Sequence, residues 1–190
     1  MRVNEFSSKY LNQTKSHSGP RPPVVINLVV IHDTEGTTAE GGAYTLTHRT
    51  DASTHVVVDD AHTFRVLPDT IIAWCVKSYN TPTIHVEQAG LASWSTMTWR
   101  DRVKTIRRAA WWAAYWMREY NIPFVFRSVA DLNSGRISGY TSHNNLSLST
   151  LSDSTHTDPG PNYPWAMLKT LITYYRAQMR MGRLRKPRAL

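Results

Sequence analysis

Residues 24–31, Val-Val-Ile-Asn-Leu-Val-Val-Ile, form a continuous run dominated by β-branched side chains. It lies between a Gly-Pro-Arg-Pro-Pro stop and the polar segment His32-Asp33-Thr34-Glu35-Gly36. A short apolar run with turn chemistry at both ends predicts a strand buried on both faces at the centre of a sheet. It is far too short for a membrane span and holds an asparagine, so the transmembrane class is excluded. A polar, ionisable pair placed directly at the end of such a strand is held by a rigid scaffold.

Further short strands are predicted at His55–Val58 and Phe64–Leu67, flanking the polar turn 59–63 as a hairpin. Two more are predicted at Ile72–Cys75 and Thr83–Glu87. A helix is predicted to start near Thr98, with Thr98 as its cap and Asp101 three residues on. Trp99, Val103, Ile106, Ala110, Ala113 and Met117 recur at spacings of three and four and make one apolar face. Asn121-Ile122-Pro123 ends it. One of Trp111 and Trp112 is expected off that stripe, where it could serve as a sugar platform. A second helix is predicted from Pro164 through Trp165, Leu168 and Ile172. Residues 1–23 read as a mobile polar lead-in, and 131–163 as a long polar loop of the kind that usually carries function.

With 190 residues and no internal repeat, one domain is expected. Its 41% apolar share and twenty aromatic residues exclude a disordered chain. The single cysteine, Cys75, excludes an internal disulfide framework. Residues 1–20 lack the apolar core of a signal peptide, so synthesis in the cytoplasm is the expectation. The net charge of +8 is local: six of the 22 basic residues lie at 176–190 with no acid among them, which leaves sixteen against fourteen elsewhere. Such a segment either seeks an anionic surface or is simply a solvated helix end.

Eight histidines invite a search for a metal site. His17 and His62 read as surface imidazoles. His32 ends the buried strand, while His143, His156 and Asp158 share the long polar loop. Neutral imidazoles with a carboxylate suit zinc, which takes three protein ligands in catalytic sites and keeps a fourth position for water. Composition and spacing admit such a site without fixing it, because 111 residues separate His32 from His143.

Val30-Ile31-His32-Asp33-Thr34-Glu35-Gly36 resembles the first-strand motif of the zinc-dependent N-acetylmuramoyl-L-alanine amidases of type 2. That family includes many phage endolysins and is related to the peptidoglycan recognition proteins. Ala-Ser-Thr-His-Val-Val-Val-Asp at 52–59, Leu-Pro-Asp at 67–69 and Ala73-Trp74 are similar to its next segments, in order. Thr83-Ile84-His85-Val86-Glu87 resembles a strand that usually ends Ile-Gly-Ile-Glu. His143 and Thr157-Asp158-Pro159-Gly160-Pro161, followed by Tyr163-Pro164-Trp165, resemble the closing motif. The resemblance covers about residues 24–175.

It implies an α/β domain like the peptidoglycan recognition proteins, with a central mixed β-sheet flanked by helices. The lead-in (1–23) and basic tail (176–190) lie outside this domain. It implies zinc as cofactor, with His32, His143 and Asp158 as ligands. Glu87 matches the acidic catalytic position, and His156 a position that stabilises the transition state. His85 stands where the family has glycine, on the face of Glu87, and either lines the substrate groove or fills space. Thr54 stands where some relatives have a tyrosine near the metal, so both are candidate substrate contacts. Cys75 reads as a small buried thiol, and His48 and His55 as structural.

The expected reaction is hydrolysis of the amide between N-acetylmuramic acid and L-alanine in peptidoglycan, by a monomeric phage endolysin that reaches the wall after release. The basic tail would then meet anionic wall polymers. One alternative is a non-catalytic peptidoglycan-binding module. The other is a nucleic-acid-binding protein, motivated only by the tail; no nucleic acid is expected as partner, since no reading motif accompanies it.

Overall fold

The computed structural model describes residues 9–10, 15–22 and 26–184. Six strands form one mixed sheet: β1 (Lys9–Tyr10), β3 (Leu28–Asp33), β4 (Val56–Val58), β5 (Thr63–Arg65), β7 (Thr83–Gln88) and β8 (Gly139–Ser142), in the order β1-β5-β4-β7-β3-β8. β3 runs parallel to β7 and to β8, β4 runs parallel to β7, and β4 and β5 form the antiparallel hairpin. The predicted central strand is β3, buried at every residue and flanked on both sides. Residues 24 and 25 of the apolar run lie outside the described residues.

Alternation along the strands sorts side chains between two layers. Val29 and Ile31 of β3, Val56 and Val58 of β4, and Ile84 and Val86 of β7 pack against α3 (Val103–Glu119) and α6 (Trp165–Arg180). On the opposite face Val57 packs with Ala39 and Ala43 of α1 (Ala39–His48). Leu28 and Val30 pack there with Leu132 of α4 (Val129–Asn133) and Leu146 of α5 (His143–Ser147). His32, His85 and Glu87 face this second side, between the two smaller apolar clusters.

Several sequence expectations change. The segment before residue 24 carries β1, paired with β5, and β2 (His17–Pro20), which pairs antiparallel with β6 (Ile71–Ala73) in a separate two-stranded sheet. The helix expected from Thr98 is two helices. α2 (Thr96–Asp101) is capped by Ser95, whose hydroxyl accepts from the Thr98 amide, and the chain bends at Arg102 before α3. At its far end Asn121 takes φ 53° and the Ile122 N–H bonds to Met117 O, a left-handed helix stop just before Pro123. Trp111 and Trp112 are both buried, because the sheet covers one side of α3 and α6 the other, so neither is a sugar platform. The long polar loop holds α4, β8 and α5; their polar residues serve as caps and short turns rather than as a periodic pattern. Finally, α6 continues past residue 175 to Arg180 with Met179 buried, so Arg176 and Arg180 belong to a folded helix. Lys186 and Arg188 lie outside the described residues.

Candidate metal centre

The C-terminal ends of three adjacent parallel strands deliver the polar residues, the place where open parallel sheets carry their sites. His32 is the fifth residue of β3 and Glu87 the fifth of β7, and the two are register partners. β8 ends at Ser142, whose hydroxyl accepts from the Asn145 amide and starts α5 at His143. The next amide in α5, Asn144, donates to Asp158 O at 3.0 Å, which ties the closing loop to this helix.

His32 Nδ1 lies 3.0 Å from His143 Nδ1 and 3.1 Å from Asp158 Oδ2, and His143 Nδ1 lies 3.0 Å from Asp158 Oδ1. All three residues are buried. Burial holds His32 down to about 4, against the pull of Asp158, so the imidazole is neutral at pH 7. Burial raises Asp158, but the hydrogen bonds of His143 and His32 outweigh it and keep the carboxyl well below the usual range. Two imidazoles and a carboxylate thus converge. A tetrahedral ion about 2.0 Å from each donor needs donors about 3.3 Å apart, close to the spacing found, and three ligands leave one position open. The residues fit zinc.

Glu87 Oε1 stands 3.9 Å from His32 Nδ1, and Glu87 Oε2 is buried with no hydrogen-bond partner. Burial first, then Asp158 and Asp33, push its carboxyl well above the ordinary range. A carboxylate in that setting readily accepts a proton. His156 is the solvent-facing member: its ring stacks on His143 with centroids 4.6 Å apart, and its Nδ1 is 3.7 Å from Asp158 Oδ1. Burial and His143 lower it, against Asp158.

Of the two readings of His85 the structure favours the space-filling one, and Thr54 does not line a groove either. Both are fully buried and offer no surface to a substrate. His85 instead lies beneath the centre, its Nδ1 3.1 Å from His32 Nε2, and Thr54 Oγ1 reaches His85 O at 3.5 Å. Cys75 belongs to the site rather than to the packing alone. Its Sγ lies 3.5 Å from His32 Nε2 and donates to Glu87 Oε1 at 3.8 Å, and burial, then Glu87 and Asp158, push the thiol well up. His32 Nε2, Cys75 and His85 therefore form a second cluster that could hold an ion, sharing His32 through its other nitrogen. His55 is buried below His85 and bonds Ile71 O, a structural role, whereas His48 and His62 are exposed.

The sequence profile described as N-acetylmuramoyl-L-alanine amidase matches residues 20–161. The chain belongs to this amidase family. The amidase is similar in fold to Staphylococcus aureus hydrolase AmiA, solved with its ligand, at 18% identity and TM-score 0.68, covering 97% of this chain and 88% of that one. A selenomethionine derivative of AmpD matches at 19% identity and TM-score 0.61, covering 90% and 99%. A mutant endolysin from Bacillus subtilis matches at 20% identity and TM-score 0.53, covering 87% and 98%. No curated protein sequence matches the chain. As a member of this family the protein is an enzyme of peptidoglycan amide hydrolysis.

Two polar residues around the amidase centre escaped the sequence reading. Ser154 Oγ sits 2.7 Å from His143 Nε2, and Thr83 Oγ1 sits 2.8 Å from His85 Nε2. Thr83 shares a strand face with His85 and Glu87, so alternation could have pointed to it. Ser154 carries no such signal, because its loop has no periodicity.

Proposed function

We propose that this amidase is a zinc enzyme that cleaves the bond between N-acetylmuramic acid and the L-alanine of the stem peptide. The observation that carries this reading is the convergence of His32 Nδ1, His143 Nδ1 and Asp158 within 3.1 Å beside an unpartnered Glu87 oxygen. When bound, zinc polarises the scissile carbonyl and lowers the pKa of water to near 7. His32, His143 and Asp158 hold it. Glu87 takes a proton from the attacking water at its free oxygen and hands it to the departing amine nitrogen. His156, at the solvent edge, offers a ring N–H to the carbonyl oxygen as it gains negative charge. Burial of Glu87 and of the ligands keeps bulk water from competing for these bonds.

The lytic setting belongs to the same proposal. Resemblance to a family rich in phage endolysins supports an enzyme made in an infected bacterium that reaches the wall after release. The basic residues of 176–190 supply charge for an anionic wall polymer.

Mass spectrometry of purified peptidoglycan digested by wild type and by His32→Ala tests the reading. Free stem peptides beginning at L-alanine, from wild type alone, are expected. Sacculi that bind both proteins and stay intact would make the chain a binding module instead.

A further inference from the structure

His32 has two ring nitrogens, and only one of them faces His143 and Asp158. We propose that His85 is a positioning residue, which with Thr83 passes a fixed hydrogen-bond direction from the Asn80 carbonyl to His32 and leaves His32 Nδ1 as a bare lone pair for the metal. The proposal rests on the zinc reading above for its consequence, but not for its geometry.

The direction of the relay starts at Thr83. Its hydroxyl lies 2.8 Å from Asn80 O and 3.2 Å from Tyr79 O, both carbonyl oxygens that can only accept. The single hydroxyl proton therefore goes to a carbonyl, since the reverse would leave two oxygens 2.8 Å apart with no proton between them. Thr83 then presents a lone pair to His85 Nε2 at 2.8 Å, so His85 carries its proton on Nε2. His85 Nδ1 is left as an acceptor, 3.1 Å from His32 Nε2, so when an ion takes the place of the proton between His32 Nδ1 and Asp158 Oδ2, the proton that His32 keeps sits on Nε2. His32 Nδ1 is then a bare lone pair facing the ion. Thr83, His85 and His32 are all buried, so bulk water does not compete for these contacts.

A ligating histidine whose far N–H is held by an acceptor is fixed in tautomer and ring orientation, and loss of such a partner usually costs 10- to 100-fold in metal affinity. Here the partner is itself a histidine on the neighbouring strand, which a glycine at position 85 could not supply.

The test uses the full chain labelled with 15N in its histidine rings. Long-range proton–nitrogen spectra should show His85 protonated at Nε2, with or without zinc; protonation at Nδ1 overturns the relay. Competition with a chromophoric chelator should show zinc affinity about 10- to 100-fold weaker in Thr83→Val, with Thr83→Ser close to wild type. A Thr83→Val protein that binds zinc as tightly as wild type also overturns the proposal. A variant that fails to fold does not block the answer, because the wild-type tautomer needs no substitution. If wild type binds no zinc, the metal reading fails, while the His85 spectrum still decides the relay.

Discussion

His32 and Glu87 are register partners on the adjacent parallel strands β3 and β7, and Glu87 Oε1 stands 3.9 Å from His32 Nδ1. Their backbones are fixed by the ladder, so the spacing between the proposed ligand and the proposed proton carrier is set by the least deformable part of the fold. A loop could not hold it as well.

That spacing separates two roles. Glu87→Gln keeps the size of the side chain and removes its capacity to take a proton, so turnover should fall by about 10²–10⁴ while bound zinc stays at the wild-type level. Release of stem peptides, measured beside metal content, checks it. Activity within tenfold of wild type would assign the proton transfer elsewhere.

Asp158→Asn should act on the metal itself. It exchanges the anionic group of the proposed ligand set for a neutral amide between two buried imidazoles. Dialysed variant should retain little zinc by elemental mass spectrometry and hydrolyse no peptidoglycan. Wild type stripped with a chelator should lose activity and regain it on adding zinc. Full activity in the presence of the chelator would refute a metal mechanism.

The metal-free protein should be acid-sensitive well above the carboxylate range. Burial lowers His32 to about 4, and lowers His55 and His85 well below 6.5. Below pH 6.5 the unfolded chain binds protons on these rings that the folded chain does not, so stability falls with pH. One imidazole that stays neutral down to pH 5 costs about 2 kcal/mol over that interval. Asp158, depressed in the fold, adds its loss lower still, as pH falls below its unfolded value of 3.8. Urea unfolding at pH 7 and pH 5 measures this, and equal midpoints would contradict it.

Gly160 should tolerate no side chain. Its φ is +84°, and a Cβ there would lie 2.0 Å from Ala92 O, a backbone atom with little room to move. Gly160→Ala should cost about 1–3 kcal/mol from overpacking alone. It should also weaken zinc binding, because Asp158 is two residues away in the same turn. Thermal unfolding and chelator competition report the two effects, and an unchanged melting temperature would show that the loop has slack.

Much of the fold was legible because β3 announces itself: a β-branched run ending in His32 reads as a central strand wherever it occurs. The hairpin of β4 and β5 and the stripe on α3 were legible for the same reason, periodicity. Ser95 was missed as the cap of α2, since Ser95 and Thr98 are chemically alike and only backbone geometry separates them. β8 was missed because Gly-Tyr-Thr-Ser has neither length nor alternation, and its pairing with β3 decides it. In the site, His32, His143, Asp158, Glu87 and His156 are brought together, while His85 and Thr54 lie under the centre instead of lining it.

By itself the sequence determined the central strand, the ionisable residues at its end and the family to which the motifs belong, because these are properties of local pattern. Tertiary structure alone decided which histidine nitrogen faces which partner. His32 meets His143 across 111 positions and His85 across 53, and only the register of β3 with β7 and β8 converts those separations into contacts near 3 Å. Burial follows from the same packing, and with it the neutrality of His32 and the unpartnered oxygen of Glu87 on which the proposed chemistry rests.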